Sequence, residues 1–218
     1  MRELVVATFL SLDGVMQAPG GPEEDPSGGF RFGGWTYHHW DEKMGQAMDE
    51  AFAQPFDLLL GRRTYDIFAA HWPHAGDEPP APRFNKVTKY VATSDPASLT
   101  WQNSQWLGDD VVAALQRLKT GEGPRLLTQG SSVLLQTLFA NDLVDELRLW
   151  VFPVVLGGGK RLFGDGAMPA GFTLVDSWAS TTGVVASTYR RAGEVSVGSF
   201  ALEDPTEAEL QRRAAMDR

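Results

Sequence analysis

Short apolar runs of strand length, separated by stretches of helical period, leave this chain few folds to choose from. Residues 4–10, 56–60, 89–93 and 125–128 each read as a buried strand, because a strand covered on both faces is apolar along its whole length. Helical stretches alternate with them. Residues 40–52 place Trp40, Met44, Ala47, Met48 and Ala51 on one face. Residues 65–70 follow Thr64, the expected N-cap. Residues 110–119 carry Val111, Leu115 and Leu118 on one side and stop at Gly121, and residues 132–140 follow Gly130. The last third changes character: 146–155, 172–178 and 184–190 are longer strands joined by glycine-rich turns, which suits antiparallel pairing. Alternating strand and helix followed by a strand-rich end predicts an α/β fold, a mostly parallel sheet with an antiparallel edge.

No internal repeat interrupts this order and no linker is long enough to split it, so one domain is expected. A Gly/Pro-rich loop at 19–34 is too long for a simple connection and reads as a binding loop or flexible lid. A second, Pro-rich loop covers 73–86. The tail from Pro205 carries a capping-box pattern, Thr206-x-x-Glu209, and predicts a short charged helix.

Composition excludes several functions. With 43% hydrophobic and 22% charged residues, the 218-residue chain can bury a substantial core. A formal net charge of -9 argues against a protein that tracks nucleic acid or an anionic membrane, since both need a surplus of Lys and Arg. The absence of cysteine removes disulfides, thiolate nucleophiles and thiolate metal sites together. No apolar run approaches the ~18 residues that span a bilayer, and acidic Glu3 sits where a signal peptide is basic. A soluble, cytoplasmic protein is expected.

Two strand-to-helix corners carry the clearest chemistry. At Gly61-Arg62-Arg63-Thr64 a glycine permits a tight turn, and two guanidiniums project near the start of the next helix. Helix N-termini attract anions through free N–H groups and the dipole, and arginine adds bidentate donors. Phosphate is the natural guest; the alternative is a surface arginine pair after an ordinary turn. Thr128-Gln129-Gly130-Ser131-Ser132 repeats the pattern of buried strand, glycine, hydroxyl residues and helix. Ligands of open α/β sheets bind at the carboxyl ends of strands, where both corners lie. The G-x-G-x-x-G fingerprint and the G-x-x-x-x-G-K-[ST] loop are both absent.

Other candidates are plainer. Adjacent His38 and His39 point different ways and have no third ligand at metal spacing, so no metal is expected. Neither Ser131 nor Ser132 sits in G-x-S-x-G, which argues against a serine hydrolase. Gly157-Gly158-Gly159 with Lys160-Arg161 is either an anion cradle or a turn between strands. Trp35 and Trp40 flank the long loop as possible walls of an aromatic pocket. Asp41 and Asp49, on or near the first helix, are candidates for holding a heterocycle or delivering a proton, with a solvated helix acid as the alternative.

Taken in order, Ser11-Leu12-Asp13-Gly14, Leu60-Gly61-Arg62-Arg63-Thr64-Tyr65, Gln129-Gly130-Ser131, Val144-Asp145-Glu146-Leu147 and Pro153-Val154-Val155-Leu156-Gly157 resemble the dihydrofolate-reductase-like proteins. The resemblance is to the branch related to the reductase domain of bacterial riboflavin biosynthesis. It covers residues 1–191, leaving 192–218 as an extension. It implies a three-layer α/β/α fold and NADPH as hydride donor. Carried over by position, Arg62, Arg63 and Thr64, after Gly61, match the 2′-phosphate side of the cofactor site. Thr93 and Ser94 match the adenosine side, and Gly130, Ser131, Ser132 and Val133 the diphosphate corner. Asp13 and Gly14, with the loop after them, match a mobile segment that closes over the nicotinamide. Alignment of the folate reductases' pterin-binding carboxylate reaches Asp41 only loosely, because the preceding loop is longer here. The zinc deaminase domain often found ahead of the riboflavin reductase is not expected, since the chain opens on the reductase strand and lacks cysteine. The expected function is therefore an NADPH-dependent reductase of a small heterocyclic or carbonyl molecule, and the resemblance also suggests a homodimer. A non-catalytic NADP(H)-binding module and a true dihydrofolate reductase stand as alternatives.

Overall fold

The computed structural model describes residues 1–164, 167–201 and 203–216. Six strands run parallel: β1 (Leu4–Ser11), β2 (Phe56–Gly61), β3 (Lys89–Ala92), β4 (Ser104–Trp106), β5 (Arg125–Thr128) and β6 (Glu146–Phe152). Two more, β7 (Gly171–Ala179) and β8 (Val185–Gly193), add an antiparallel edge. Together they form one eight-stranded sheet in the order β4-β3-β2-β5-β1-β6-β8-β7.

Successive strand residues face opposite sides of a sheet, and β1 shows what covers each side. Leu4 and Val6 pack with Leu59 and Leu126 beneath α4 (Val111–Thr120) and α5 (Ser132–Ala140), which contribute Leu115, Leu135 and Leu138. Val5 and Ala7 pack with Leu58, Leu60 and Leu127 against α1 (Glu42–Ala53), α2 (Arg62–His71) and α3 (Ala81–Lys86) through Met44, Tyr65 and Phe84. The result is the expected three-layer α/β/α architecture. Past it, α6 (Glu207–Met216) starts where the Glu209 amide donates to Thr206 Oγ1 at 3.3 Å, and it buries none of its residues.

The structure corrects the sequence reading locally. Thr64 is not an N-cap: α2 begins at Arg62 with Gly61 at the cap position, so Thr64 stands inside the first turn. The first helix begins at Glu42 rather than Trp40, because Asp41 Oδ1 accepts the Met44 amide at 2.9 Å and fixes the start there. Asp110 likewise caps α4 instead of opening it. The strand expected over 146–155 ends at Phe152, where pairing with β8 has stopped and Pro153 brings no N–H. The 73–86 loop contains α3, which buries Ala81 and Phe84 and tolerates Pro82 at its start. Short β4 gives no apolar signal, since Gln105 and Trp106 are exposed at the sheet edge.

Candidate functional site

The carboxyl ends of β2, β3 and β5 and the chain leaving β1 surround a cleft of about 730 Å³. Both corners read from the sequence meet in it. The Gly61 amide donates to Ser131 Oγ at 2.6 Å. A Cβ at Gly61 would lie 2.9 Å from the Ser131 Cβ, and one at Gly130 would lie 3.1 Å from Thr64 Oγ1. The corner glycines thus serve the approach of the corners to each other as well as that of any ligand. Ser131 itself is left-handed at φ 68°, an uncommon conformation for a side-chain-bearing residue. Its hydroxyl, bonded to Gly61, gives α5 no cap.

That arrangement has an electrostatic consequence. Asp41 and Asp110 cap α1 and α4, whereas α3 has no side-chain cap. The two helices that follow the corners, α2 and α5, have no side-chain cap either. Their first-turn amides are therefore left for an anion, with the positive end of each dipole behind them.

The two arginines diverge. Arg62 Nε holds both oxygens of Asp66 at 2.8 Å, and its terminal nitrogen reaches Ser98 Oγ and, at 3.7 Å, Asp95, past the end of β3. Arg63 turns the other way and donates to Asp25 Oδ1 at 2.7 Å. Asp25 is 8% exposed, and Lys160 bonds its second oxygen. Burial alone would raise the Asp25 carboxyl. Hydrogen bonds from Lys160, Ser27 and Arg63 outweigh that and hold it at about 2. Buried Gln17 completes the brace: its amide donates to the Asp25 and Ser27 carbonyls at 2.9 Å and its oxygen accepts the Lys160 amide at 3.0 Å. Trp35 Nε1 donates to the Gln17 carbonyl at 2.9 Å. The loop read over 19–34 is braced on its cleft side, where Pro19, Glu24 and Asp25 line the cleft beside Met16, Gln17 and Ala18.

Of the residues singled out in the sequence, Gly61, Arg62, Arg63, Thr64, Thr93, Ser94, Gly130, Ser131, Ser132 and Val133 all line this cleft. Thr93 and Ser94 do so just beyond the end of β3. Asp13, Gly14 and Asp41 are not among the lining residues. Asp13 accepts the Ser11 hydroxyl at 2.6 Å and the Leu156 and Gly157 amides at 3.1 and 2.9 Å, and these bonds hold its carboxyl at about 2. It pins the end of β1 to the turn after β6. Gly14, at φ 78°, makes the accompanying turn. Asp41 ties the α1 start to the β7–β8 turn, where the Thr181 hydroxyl and amide donate to its Oδ2 at 2.6 and 2.9 Å. The Thr181 hydroxyl and the Met44 amide lower its pKa, which is the opposite of what a proton donor needs. Trp35 and Trp40 join an edge-to-face cluster with Phe9 and Phe152 beside β1. Of the glycine-rich turn, Lys160 does reach the cleft. The sequence reading missed Gln17, Glu24 and Asp25; Gln17 and Asp25 share a partner in Lys160, 143 and 135 positions away, which leaves no spacing signal.

A family model described as the RibD C-terminal domain matches residues 2–186. The chain is 26% identical over 196 residues to the uncharacterized protein YyaP of Bacillus subtilis, covering 88% of this chain and 96% of that protein. Its fold matches a pyrimidine reductase-like protein of Corynebacterium diphtheriae with a TM-score of 0.56 at 13% identity, covering 88% of this chain and 93% of that one. It also matches the dihydrofolate reductase of Enterococcus faecalis complexed with NADP(H), with a TM-score of 0.54 at 16% identity and 87% and 96% coverage.

Proposed function

Since the chain belongs to the RibD C-terminal domain family, a reductase-type family, we propose that it is an NADPH-dependent reductase of a small heterocyclic or carbonyl substrate. The observation that carries this reading is the pair of uncapped helix starts facing one cleft, joined by the Gly61–Ser131 hydrogen bond and flanked by Arg62, Arg63 and Lys160. This donor set fits a dinucleotide: amides and cations for phosphates, on two corners that glycines allow to meet.

In this reading the order of contacts across the cleft follows the strand order β3, β2, β5, β1. Thr93 and Ser94 take the adenosine side. Arg62, extended toward the segment after β3, reads the 2′-phosphate. Arg63 with the starts of α2 and α5 holds the diphosphate, and residues 16–18 receive the nicotinamide. Bound there, the reduced nicotinamide supplies the hydride; the chain's own contribution is to hold donor and acceptor together and exclude water.

Arg62→Ala tests the assignment. Its dissociation constant for NADPH should rise about tenfold or more, equivalent to ~1.4 kcal/mol, while that for NADH stays within about twofold. Equal losses for both would contradict a 2′-phosphate role.

A further inference from the structure

The wall at residues 16–25 carries an acid that the preceding assignments leave idle. Glu24 lines the cleft alongside Met16, Gln17 and Ala18, where the strand order directs the nicotinamide. Its Oε2 accepts the amides of Gly20 at 2.6 Å and Gly21 at 3.2 Å. Oε1 has no hydrogen-bond partner among the described residues. The other lining acids are committed to cations: Asp66 gives both oxygens to Arg62, and Asp25 divides its own between Arg63 and Lys160. Glu24 has no cation of its own among the described residues.

We propose that Glu24 delivers, from Oε1, the proton that accompanies hydride transfer in the cleft. This rests on the reductase reading above and adds the residue that Asp41, turned to capping, does not supply. The acceptor is the sp² carbon of a C=N or C=O group. That carbon gains hydride and its electron pair from the reduced nicotinamide, which is thereby oxidised. The π pair moves to the nitrogen or oxygen, which takes the proton and breaks the O–H bond at Glu24. The resulting carboxylate regains a proton from water.

The surroundings keep the acid protonated to a higher pH than usual. Burial pushes the Glu24 carboxyl up, the Gly20 and Gly21 amides pull it down, and the neighbouring Asp25 charge pushes it up again. Arg63 from α2 and Lys160 from the segment after β6 face this region too, but both are bonded to Asp25. The two glycine amides also leave Oε1 as the oxygen for the proton to occupy. A general acid works best when its pKa lies near the working pH.

The test uses the full chain with NADPH, its glutamates labelled with ¹³C at Cδ and titrated by NMR. One glutamate should titrate above the others, and its resonance should be missing from Glu24→Gln. That variant keeps an oxygen for the glycine amides, so its NADPH affinity should stay within about twofold. With 7,8-dihydrofolate or 9,10-phenanthrenequinone as probe acceptor, Glu24→Gln should transfer hydride about 10²-fold more slowly or worse and lose the alkaline limb of its pH profile. Titration of Glu24 with the exposed glutamates would overturn the proposal, as would an unchanged rate and pH profile on either probe that the wild type reduces. Failure of the wild type to bind NADPH would instead remove the reductase reading beneath it.

Discussion

The two walls of the cleft are built by different physics. The corner wall, from Gly61–Thr64 and Gly130–Val133, is made of backbone: two glycines, two helix starts and one hydroxyl-to-amide bond. The loop wall, residues 16–25, is held by side chains, with Asp25 and Gln17 reaching Arg63 and Lys160. A backbone wall tolerates no added volume, whereas an ionic wall tolerates volume but not lost charge. Each wall should therefore fail in its own way.

The largest effect is expected at the corner wall. Gly61→Val puts branched carbon where Ser131 already stands, and overpacking of this kind costs about 1–3 kcal/mol. Urea unfolding should show the loss, and NADPH affinity should fall more than about tenfold as the corners part. Asp25→Ala comes next. It strands the Arg63 and Lys160 cations, and because both are partly exposed the cost should be nearer ~2 kcal/mol than the 3–5 kcal/mol of a fully buried pair. Limited proteolysis should accelerate within residues 19–34, while amide exchange of β2 and β5 stays slow. Sparing of the loop would show that the wall does not depend on its ion pairs.

Acid should separate the walls as well. Asp25 is held at about 2 in the folded chain, against about 3.9 for an unperturbed aspartate. Between those values the unfolded chain binds more protons, so the stability that Asp25 contributes is complete above about pH 4 and is lost as pH falls toward 2. Fluorescence of Trp35, bonded to Gln17, should report loosening of the loop in that window, and Asp25→Asn should abolish the transition. The smallest effect is expected away from both walls. Asp41→Ala removes a helix cap, at about 1 kcal/mol, and should leave NADPH affinity unchanged; a tenfold loss would return Asp41 to the site.

The same contrast explains what was legible in the sequence. Buried strands that carry their own apolar runs, such as 4–10 and 56–60, declared the sheet, and glycine followed by a helix start declared the corners. Both are signals local in the chain. Gly61 and Ser131 touch across 70 positions, so the sequence placed two corners without showing that they form one floor. Asp25 was not singled out in its loop, because nothing near it predicts a partner 135 positions away. Asp41 drew attention as an acid near the expected pocket and Asp13 as part of a segment matched to nicotinamide closure, and the structure gives the carboxylates of both to amides. Thr64 was misplaced by one turn because glycine, which carries no capping oxygen, stands where a cap was sought.

The central claim is that the joined corners bind a phosphorylated nicotinamide dinucleotide. Titration of the purified chain with NADPH and, separately, with NADH, followed by energy transfer from tryptophan to the reduced nicotinamide, tests it most directly. The account predicts saturable binding of NADPH, at least about tenfold tighter than NADH and reduced to the NADH level in Arg62→Ala. Absence of binding by either dinucleotide would mean that the two corners serve packing or another anion, and would contradict the account.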